Sequence, residues 1–358
     1  LKAITKKWGI TYDPSQMIPC DDDLLDRLWR AAIEMVLEVG VLCTDTQRLI
    51  TFTEQEVMDV IDKYDYTPNA FARGMGLHSL KTIGILCADS SDLFLAKAVY
   101  FLEQELQANG YESLLCCTGY NPDIKKNYLN LILSKKVDSI ILVGSHFIGF
   151  NEDENQYIKD VSTQVPIMLL NASFDHPNVY STLCDDYGTM FEAATEMIQS
   201  GITDILYLYD SKSYSGLKKL HGFCDAMKEY NIPGFEKLIH FYDGNIEHLN
   251  EVADFVAHIA TKGTSFHGIM TSDDSLAIGS IKYAQKKGIR IPEELSVMGY
   301  NNSMLTNCCT PELTSVDNRL ETQTHQLVQT LLGVLAGEEM PKKSIFSGKI
   351  IKRGTTLF

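Results

Sequence analysis

From Thr82 to the end of the chain, short runs of β-favouring residues alternate with segments of helical periodicity. The predicted strands are Thr82–Cys87, Glu112–Cys117, Ser139–Val143, Ile167–Leu170, Asp204–Tyr209, Lys237–Phe241, Gly268–Thr271 and Leu295–Met298. The predicted helices between them are Phe94–Ala108, Asp123–Leu133, Tyr187–Gln199, Ser215–Glu229, Ile246–Ala260 and Asp274–Lys287. This alternation predicts an α/β fold with parallel strands joined by crossover helices. Two doubly wound parallel-sheet subdomains that face each other form a cleft at the carboxyl ends of their strands, where ligands bind.

The composition narrows the class of protein. The 358 residues carry a formal net charge of −16, which argues against a surface that binds nucleic acid generally. The nine cysteines include no Cys-x-x-Cys pair, and several lie in apolar runs such as Leu114-Leu-Cys-Cys117, so we expect reduced core residues of a cytoplasmic protein. No apolar run approaches the roughly 18 residues of a membrane span, and no signal-peptide pattern is found.

Signals for catalysis are sparse. The chain has no Gly-x-x-x-x-Gly-Lys loop, no His-Glu-x-x-His and no Gly-x-Ser-x-Gly. Its nine histidines are scattered and form no metal-binding spacing with cysteine. The carboxylate pairs Asp185-Asp186 and Asp273-Asp274 are explained by helix capping and hydroxyl binding. We therefore expect a non-enzyme without metal or cofactor.

The amino-terminal region is predicted to be helical. Asp22 or Asp23 can cap a helix that runs through Val39 and ends at Gly40. A second helix, from Thr53 to about Lys63, begins with a capping-box pattern because Glu56 follows Thr53 by three residues.

The segment Tyr66-Thr-Pro-Asn-Ala-Phe-Ala-Arg73 leads into the first predicted strand. Pro68 biases Thr67 towards extended geometry, and Asn69 is a good cap for a short helix. This segment resembles the hinge of the LacI/GalR family of transcription regulators, in which the corresponding helix enters the minor groove of operator DNA. The resemblance implies hinge contacts at Asn69, Ala72, Arg73 and Met75, with Met75 where the family usually has Leu.

Further matches follow in the family's order. They include Gly110-Tyr111, Lys136-Val-Asp-Ser-Ile-Ile141, Asp185-Asp-Tyr187, Ser272-Asp-Asp-Ser-Leu-Ala-Ile-Gly279, Val297-Met-Gly-Tyr300 and Lys352-Arg-Gly-Thr-Thr356. The resemblance covers residues 62–358 and implies a periplasmic-binding-protein-like core that binds a small-molecule effector and pairs as a homodimer. The expected domains are a helical segment (1–60), a hinge (61–81), subdomain 1 (82–180 plus about 317–343) and subdomain 2 (181–316 plus about 344–358).

The resemblance also implies the ligand-contact positions, which are Asp92, Phe94, Ser145, Asn171, Lys219, Asp273 and Asn301. Lys219 stands where the family has Arg, and Asn301 and Asn171 stand where it has Asp. Because Lys lacks the bidentate geometry of Arg, we expect a ligand other than the commonest hexose or purine.

The charges near the predicted strand ends indicate the class of ligand. Five aspartates fall there, namely Asp92, Asp185, Asp186, Asp273 and Asp274. The cleft should therefore be electronegative, with Lys219 as its main cation. A neutral sugar or polyol, or an amine-bearing derivative, suits this field better than a phosphosugar.

The first 60 residues lack the family's helix-turn-helix signals. Instead Trp8-Gly-Ile-Thr-Tyr12, Cys43-Thr-Asp-Thr46 and Phe52-Thr-Glu-Gln-Glu-Val57 resemble the amino-terminal region of monomethylamine methyltransferases. The resemblance stops before that family's catalytic centre, so it implies no methyl transfer. Residues 1–80 hold eight Lys and Arg against thirteen Asp and Glu, a poor composition for contacting phosphates.

Three hypotheses follow. The first is the effector-binding core of a LacI/GalR-type regulator, which couples a sugar-like or polar ligand to operator binding in the native full-length protein. The second is a solute-binding module without DNA-binding activity. The third is a chimera that carries a methylamine methyltransferase fragment.

Overall fold

The computed structural model describes residues 1–11, 22–63 and 80–358. These residues pack as two units, one of residues 1–82 with 136–138, the other of residues 83–135 and 139–358. Within the described ranges, no helix is both long and apolar enough to cross a membrane.

Within residues 1–11 and 22–63, the amino-terminal unit contains three helices and a hairpin. They are α1 (Lys2–Lys7), α2 (Asp22–Val39), β1 (Val41–Cys43), β2 (Arg48–Ile50) and α3 (Glu54–Lys63). Glu34 of α2 joins this helix to the chain start, since it accepts hydrogen bonds from Lys7 Nζ and Trp8 Nε1, both at 2.7 Å. The two predicted helices are confirmed, and so is the capping box, in which Thr53 N donates to Glu56 Oε2 at 2.8 Å. The antiparallel hairpin was not predicted.

The second unit has two lobes, each built on a six-stranded sheet. The first sheet has the order β13-β7-β6-β5-β3-β4. Its strands are β3 (Thr82–Cys87), β4 (Glu112–Cys117), β5 (Ser139–Val143), β6 (Ile167–Leu170), β7 (Val179–Cys184) and β13 (Lys343–Phe346). The helices of this lobe are α4 (Leu93–Ala108), α5 (Pro122–Ser134), α6 (Gln156–Ser162) and α11 (Leu320–Leu335). β13, β7, β6, β5 and β3 pair in parallel, which leaves β4 at one edge.

The second sheet has the order β14-β12-β11-β10-β8-β9. Its strands are β8 (Ile205–Tyr209), β9 (Ile239–Phe241), β10 (Gly268–Thr271), β11 (Ser296–Tyr300), β12 (Thr314–Asp317) and β14 (Lys349–Ile351). The helices of this lobe are α7 (Asp186–Gln199), α8 (Tyr214–Glu229), α9 (Leu249–Thr261) and α10 (Asp274–Lys287). All neighbouring strands pair in parallel except β12 and β14. Separate apolar cores cover the two faces of this sheet, because helices lie on both.

The chain passes between the lobes at three places, after β7, after β12 and after β13. The expected change of subdomain at residue 180/181 therefore falls inside β7, a strand of the first sheet. Strands β7, β12, β13 and β14 and helices α6 and α11 were not predicted from the sequence.

Two helices of the second lobe approach each other closely at Gly222, in α8. A Cβ atom there would lie 2.3 Å from the carbonyl oxygen of Tyr187 and 3.1 Å from the nitrogen of Phe191, both in α7. These are backbone atoms, so the two helices would have to move apart.

We predict that Gly222→Ala lowers the free energy of unfolding by about 1–3 kcal/mol, the usual cost of overpacking. Urea unfolding checks this value. His221→Ala is the control, because His221 is exposed on the same helix and should change stability by no more than about 0.5 kcal/mol. An equal effect of both substitutions would contradict the close packing of α7 and α8.

Candidate functional site

All seven sequence-predicted ligand positions line one cavity between the lobes of the second unit. Asp92 and Phe94 follow β3, Ser145 follows β5 and Asn171 follows β6, all in the first lobe. Lys219 lies in α8, Asp273 follows β10 and Asn301 follows β11, in the second lobe. The carboxyl ends of parallel strands meet at one edge of each sheet, so residues distant in sequence converge here.

Asp273 lies at the centre of the polar contacts in the cavity. Its Oδ1 accepts a hydrogen bond from Ser275 N at 2.7 Å and so caps α10, while its Oδ2 accepts one from Asn301 Nδ2 at 2.8 Å. Burial, together with the charges of Asp210 and Asp274, raises the pKa of Asp273 to about 7. Burial also raises the pKa of Asp274 to about 6.

A chain of hydrogen bonds leads from Asp273 to the crossing after β12. Asn301 Oδ1 accepts from Asn318 Nδ2 at 3.0 Å, and the Asn318 carbonyl oxygen accepts from Gln323 Nε2, in α11, at 2.6 Å. Asn301 has a φ of 96° and Asn171 a φ of 64°, a left-handed backbone that Asn tolerates better than other non-glycine residues. The side chain of Asn301 thus joins a cavity residue to a segment between the lobes.

Lys219 is held by groups of its own lobe. Its Nζ donates to the Ser272 carbonyl oxygen at 3.0 Å and lies 3.9 Å from the centre of the Tyr300 ring. The buried carboxylate of Asp186 is close to Lys219, and it accepts hydrogen bonds from Ser215 Oγ at 2.5 Å and from Tyr300 Oη at 2.6 Å. The one sequence-predicted cation of the cavity therefore already makes a hydrogen bond and a ring contact within its own lobe.

Several cavity residues were missed by the sequence analysis. They are Tyr120, His146, Asp210, Ser211, Ser213 and Ser272. Asp210 directly follows β8 and accepts a hydrogen bond from Ser272 Oγ at 2.7 Å. Its position after a buried strand was the signal that could have revealed it.

The first lobe contributes a carboxylate, a hydroxyl and three rings, those of Phe94, Tyr120 and His146. Burial raises the pKa of Asp92, which caps α4 through Leu95 N at 2.8 Å. Ser145 Oγ donates to Ser213 Oγ of the second lobe at 2.8 Å, so this bond spans the cavity. The His146 ring contacts Tyr120 edge-on at 5.3 Å, and burial beside Lys125 lowers the pKa of His146 to about 3.

The predicted hinge contacts, Asn69, Ala72, Arg73 and Met75, lie outside the described residues. Within residues 1–11, 22–63 and 80–358, no group of three or more His, Cys, Asp and Glu side chains could hold a metal ion.

Comparisons with known proteins identify the class. The Periplasmic binding protein-like domain family matches residues 194–356. An HTH-type transcriptional regulator of Lachnoclostridium phytofermentans is 47% identical over 306 residues, 86% of this chain and 91% of that protein. The HTH-type transcriptional regulator AscG of Escherichia coli is 25% identical over 308 residues, 85% of this chain and 90% of that protein. The chain belongs to the LacI family of transcription regulators, and it is a regulator rather than an enzyme.

Solved structures share the fold. The Escherichia coli transcriptional repressor ascG aligns with a TM-score of 0.68 and 24% identity over 77% of this chain and 99% of that one. The transcription regulator GntR from Chromobacterium violaceum aligns with a TM-score of 0.69 and 18% identity over the same shares of the two chains. These likenesses confirm the predicted fold class of two α/β subdomains.

The amino-terminal region matches a different family. The Monomethylamine methyltransferase MtmB family matches residues 1–84, which confirms the resemblance seen in the sequence and extends it into the start of β3.

The raised pKa of Asp273 generates a prediction on stability. In an unfolded chain an Asp carboxyl ionises near pH 3.9, about three units below its folded value. Between these two values the folded protein binds more protons than the unfolded chain, so the contribution of Asp273 to stability is lost as the pH rises through about 7. Asp273→Asn cannot ionise but can still cap α10. We expect its melting temperature, relative to the wild type, to increase between about pH 5 and about pH 8.

Thermal unfolding of the ligand-free protein across this pH range measures the effect. The new amide faces Asn301 Nδ2, which changes the melting temperature by an amount that does not depend on pH. The quantity to compare is therefore the change with pH of the difference in melting temperature between the variant and the wild type. Asp243→Asn, at an exposed carboxyl, is the control and should show no slope relative to the wild type. A difference in melting temperature between Asp273→Asn and the wild type that stays the same at every pH would contradict the raised pKa of Asp273.

Proposed function

We propose that the cleft binds a small hydroxylated or amine-bearing effector and that its occupancy is coupled to operator binding through a homodimer. The observation that carries this proposal is the convergence of the seven predicted positions, from both lobes, on one cavity. Asp92, Lys219, Asp273 and Asn301 provide acceptors and donors for hydroxyl groups, and Phe94 and Tyr120 provide apolar faces for a ring.

The charges of the cavity support a neutral or cationic ligand. Asp92, Asp210 and Asp273 all line it, and the charge of Asp210 helps to raise the pKa of both Asp92 and Asp273. Lys219 already donates to the Ser272 carbonyl oxygen and contacts the Tyr300 ring, and its charge acts on the buried carboxyl of Asp186. A dianionic ligand such as a phosphosugar would face uncompensated carboxylates. An ammonium group would instead relieve their mutual repulsion.

The coupling that we propose is a rotation of one lobe against the other. Ser145 and Ser213 touch across the cleft, and Asp273 is linked through Asn301 and Asn318 to the crossing after β12. A ligand that competes for these groups changes contacts on both sides of the cleft. We propose the lobes as functional subdomains, with the first change of lobe placed after Cys184 because β7 belongs to the first sheet.

We further propose a cytoplasmic homodimer that pairs through first-lobe helices such as α4. Tyr100 on this helix is 52% exposed and Leu93 is 39% exposed, so a partner would cover apolar surface. Asn69, Ala72, Arg73 and Met75 are then the residues that would contact operator DNA in the native full-length regulator.

A thermal-shift screen tests the site. Neutral sugars, polyols and amino sugars are compared with sugar phosphates, and we expect a neutral or cationic compound to stabilise the protein most. A ligand at about 100 times its Kd should add about 2.7 kcal/mol to stability. Asp273→Ala and Lys219→Ala should each weaken the response, and Asp210→Asn should reduce the preference for amines over neutral analogues.

Two matched variants control the screen. Lys218→Ala removes an exposed lysine next to Lys219, and Asp243→Ala removes an exposed aspartate, so both should keep the full response. The site assignment is wrong if a phosphosugar stabilises the wild type most, or if Asp273→Ala and Lys219→Ala respond as the wild type does.

The acidic amino-terminal region leads to a prediction on DNA. We expect no sequence-specific operator binding by this chain at physiological salt, because few phosphate contacts are available to it. The region's composition and its methyltransferase match favour, as a second candidate, a solute-binding module without a DNA role. A gel-shift titration with palindromic operators and a scrambled duplex provides the measurement. Tight, sequence-dependent retardation would contradict the expectation and would eliminate the second candidate.

A further inference from the structure

Two cysteines meet at the carboxyl ends of neighbouring strands in the first lobe. Cys87 is the last residue of β3, Cys117 is the last residue of β4, and their Sγ atoms are 3.8 Å apart. The two chain segments are also joined just after the cysteines, since Thr118 N donates to Cys87 O at 2.8 Å and Gly119 N donates to Ala88 O at 2.9 Å. The pair is thus held together by the sheet.

The spacing permits a covalent bond without backbone rearrangement. A disulfide has an S–S distance of about 2.05 Å and usually joins Cα atoms about 4.4–6.8 Å apart, and neighbouring strands lie about 4.8 Å apart. Rotation of the two side chains can therefore close the remaining gap between the sulfur atoms.

The two thiols differ in access and in reactivity. Cys117 is exposed, whereas Cys87 is fully buried in the apolar core of the first lobe. Burial and the neighbouring Cys117 raise the pKa of Cys87 to about 12, so Cys87 is a neutral thiol at physiological pH. An oxidant from solution reaches Cys117 first.

We propose that Cys87 and Cys117 form a redox modification site that peroxide converts to an intramolecular disulfide. Hydrogen peroxide transfers one oxygen to Cys117 Sγ, giving a sulfenic acid and one water. The Cys87 sulfur then displaces the hydroxyl group, which leaves as a second water with the Cys87 proton. Overall two thiols lose two electrons and peroxide is reduced to two waters. A small-molecule thiol reverses the step by exchange.

The position of the pair suggests what the bond would change, a step that rests on the proposed function. The segment after Cys87 carries Asp89 and Asp92, and the segment after Cys117 carries Tyr120, all of which line the mouth of the cleft. A disulfide fixes the distance between the starts of these two segments and so restrains how they can adjust around a ligand. We therefore expect the oxidised protein to bind the cleft ligand more weakly than the reduced protein.

The first test needs no ligand. The full chain is reduced, freed of reductant, treated with hydrogen peroxide and mapped by mass spectrometry under non-reducing conditions. We expect a Cys87–Cys117 linkage in the wild type and in Cys116→Ser, the matched control on the same strand. Cys117→Ser, at an exposed site, should fold normally and lose the linkage. Overoxidised Cys117 without a linkage, or a covalent dimer through Cys117, would overturn the proposal.

The second test compares the reduced and oxidised wild type in the thermal-shift screen, with Cys117→Ser treated in parallel. A ligand response that falls on oxidation in the wild type, but not in Cys117→Ser, supports the effect on the cleft. A thermal shift that is the same before and after oxidation refutes the effect on the cleft but does not contradict formation of the disulfide. If the reduced protein responds to no compound, the proposed function fails, whereas the peptide map still decides the redox site.

Discussion

The central strands of both sheets are buried between helices, and this burial determines where the polar chemistry of the molecule lies. In β3, β5, β6, β10 and β11 nearly every residue is buried, so these strands hold few charged groups. Polar side chains are placed instead where the strands end and the backbone begins a helix. Because parallel strands end at the same edge, the polar groups of distant segments are collected into one cleft.

At these strand ends, two opposite effects act on the pKa of the aspartates. A carboxylate at a helix amino terminus is stabilised by free backbone N–H groups, as Asp92 is by Leu95 N and Asp273 is by Ser275 N. Loss of water and the nearness of other carboxylates act in the other direction. The raised pKa values of Asp92 and Asp273 indicate that desolvation and repulsion win at both sites. A bound cation or hydroxyl donor would offset both of these effects on the two carboxyl groups.

Much of the fold could be predicted from the sequence. Strands β3, β4, β5, β6 and β10 have their expected bounds, since each is an apolar run bounded by turn residues. β7 was missed because Ser181 and Thr182, both buried, interrupt its apolar pattern. α11 was missed for a similar reason, since Gln323, Thr324 and Thr330 lie buried in it.

For the site, the sequence could indicate which residues line the cavity but not which groups each of them contacts. Family resemblance and strand ends were enough to bring seven residues to one cavity. They could not reveal that Lys219 is paired with Ser272 and Tyr300, because those contacts depend on how α8 packs against β10 and β11. They also could not reveal the contact between Ser145 and Ser213, which depends on how far the lobes are apart.

In the amino-terminal unit, the sequence features that determine the helices do not indicate a function. Its helices depend on a local signal, the capping box at Thr53, and on a contact between segments, in which Lys7 and Trp8 donate to Glu34. These signals are compatible with many functions and carry no information about DNA. Recognition of DNA requires basic groups aimed at phosphates, and this region is acidic. The regulator core and the amino-terminal unit therefore have to be tested separately, since ligand binding in the cleft can be intact whether or not this chain binds an operator.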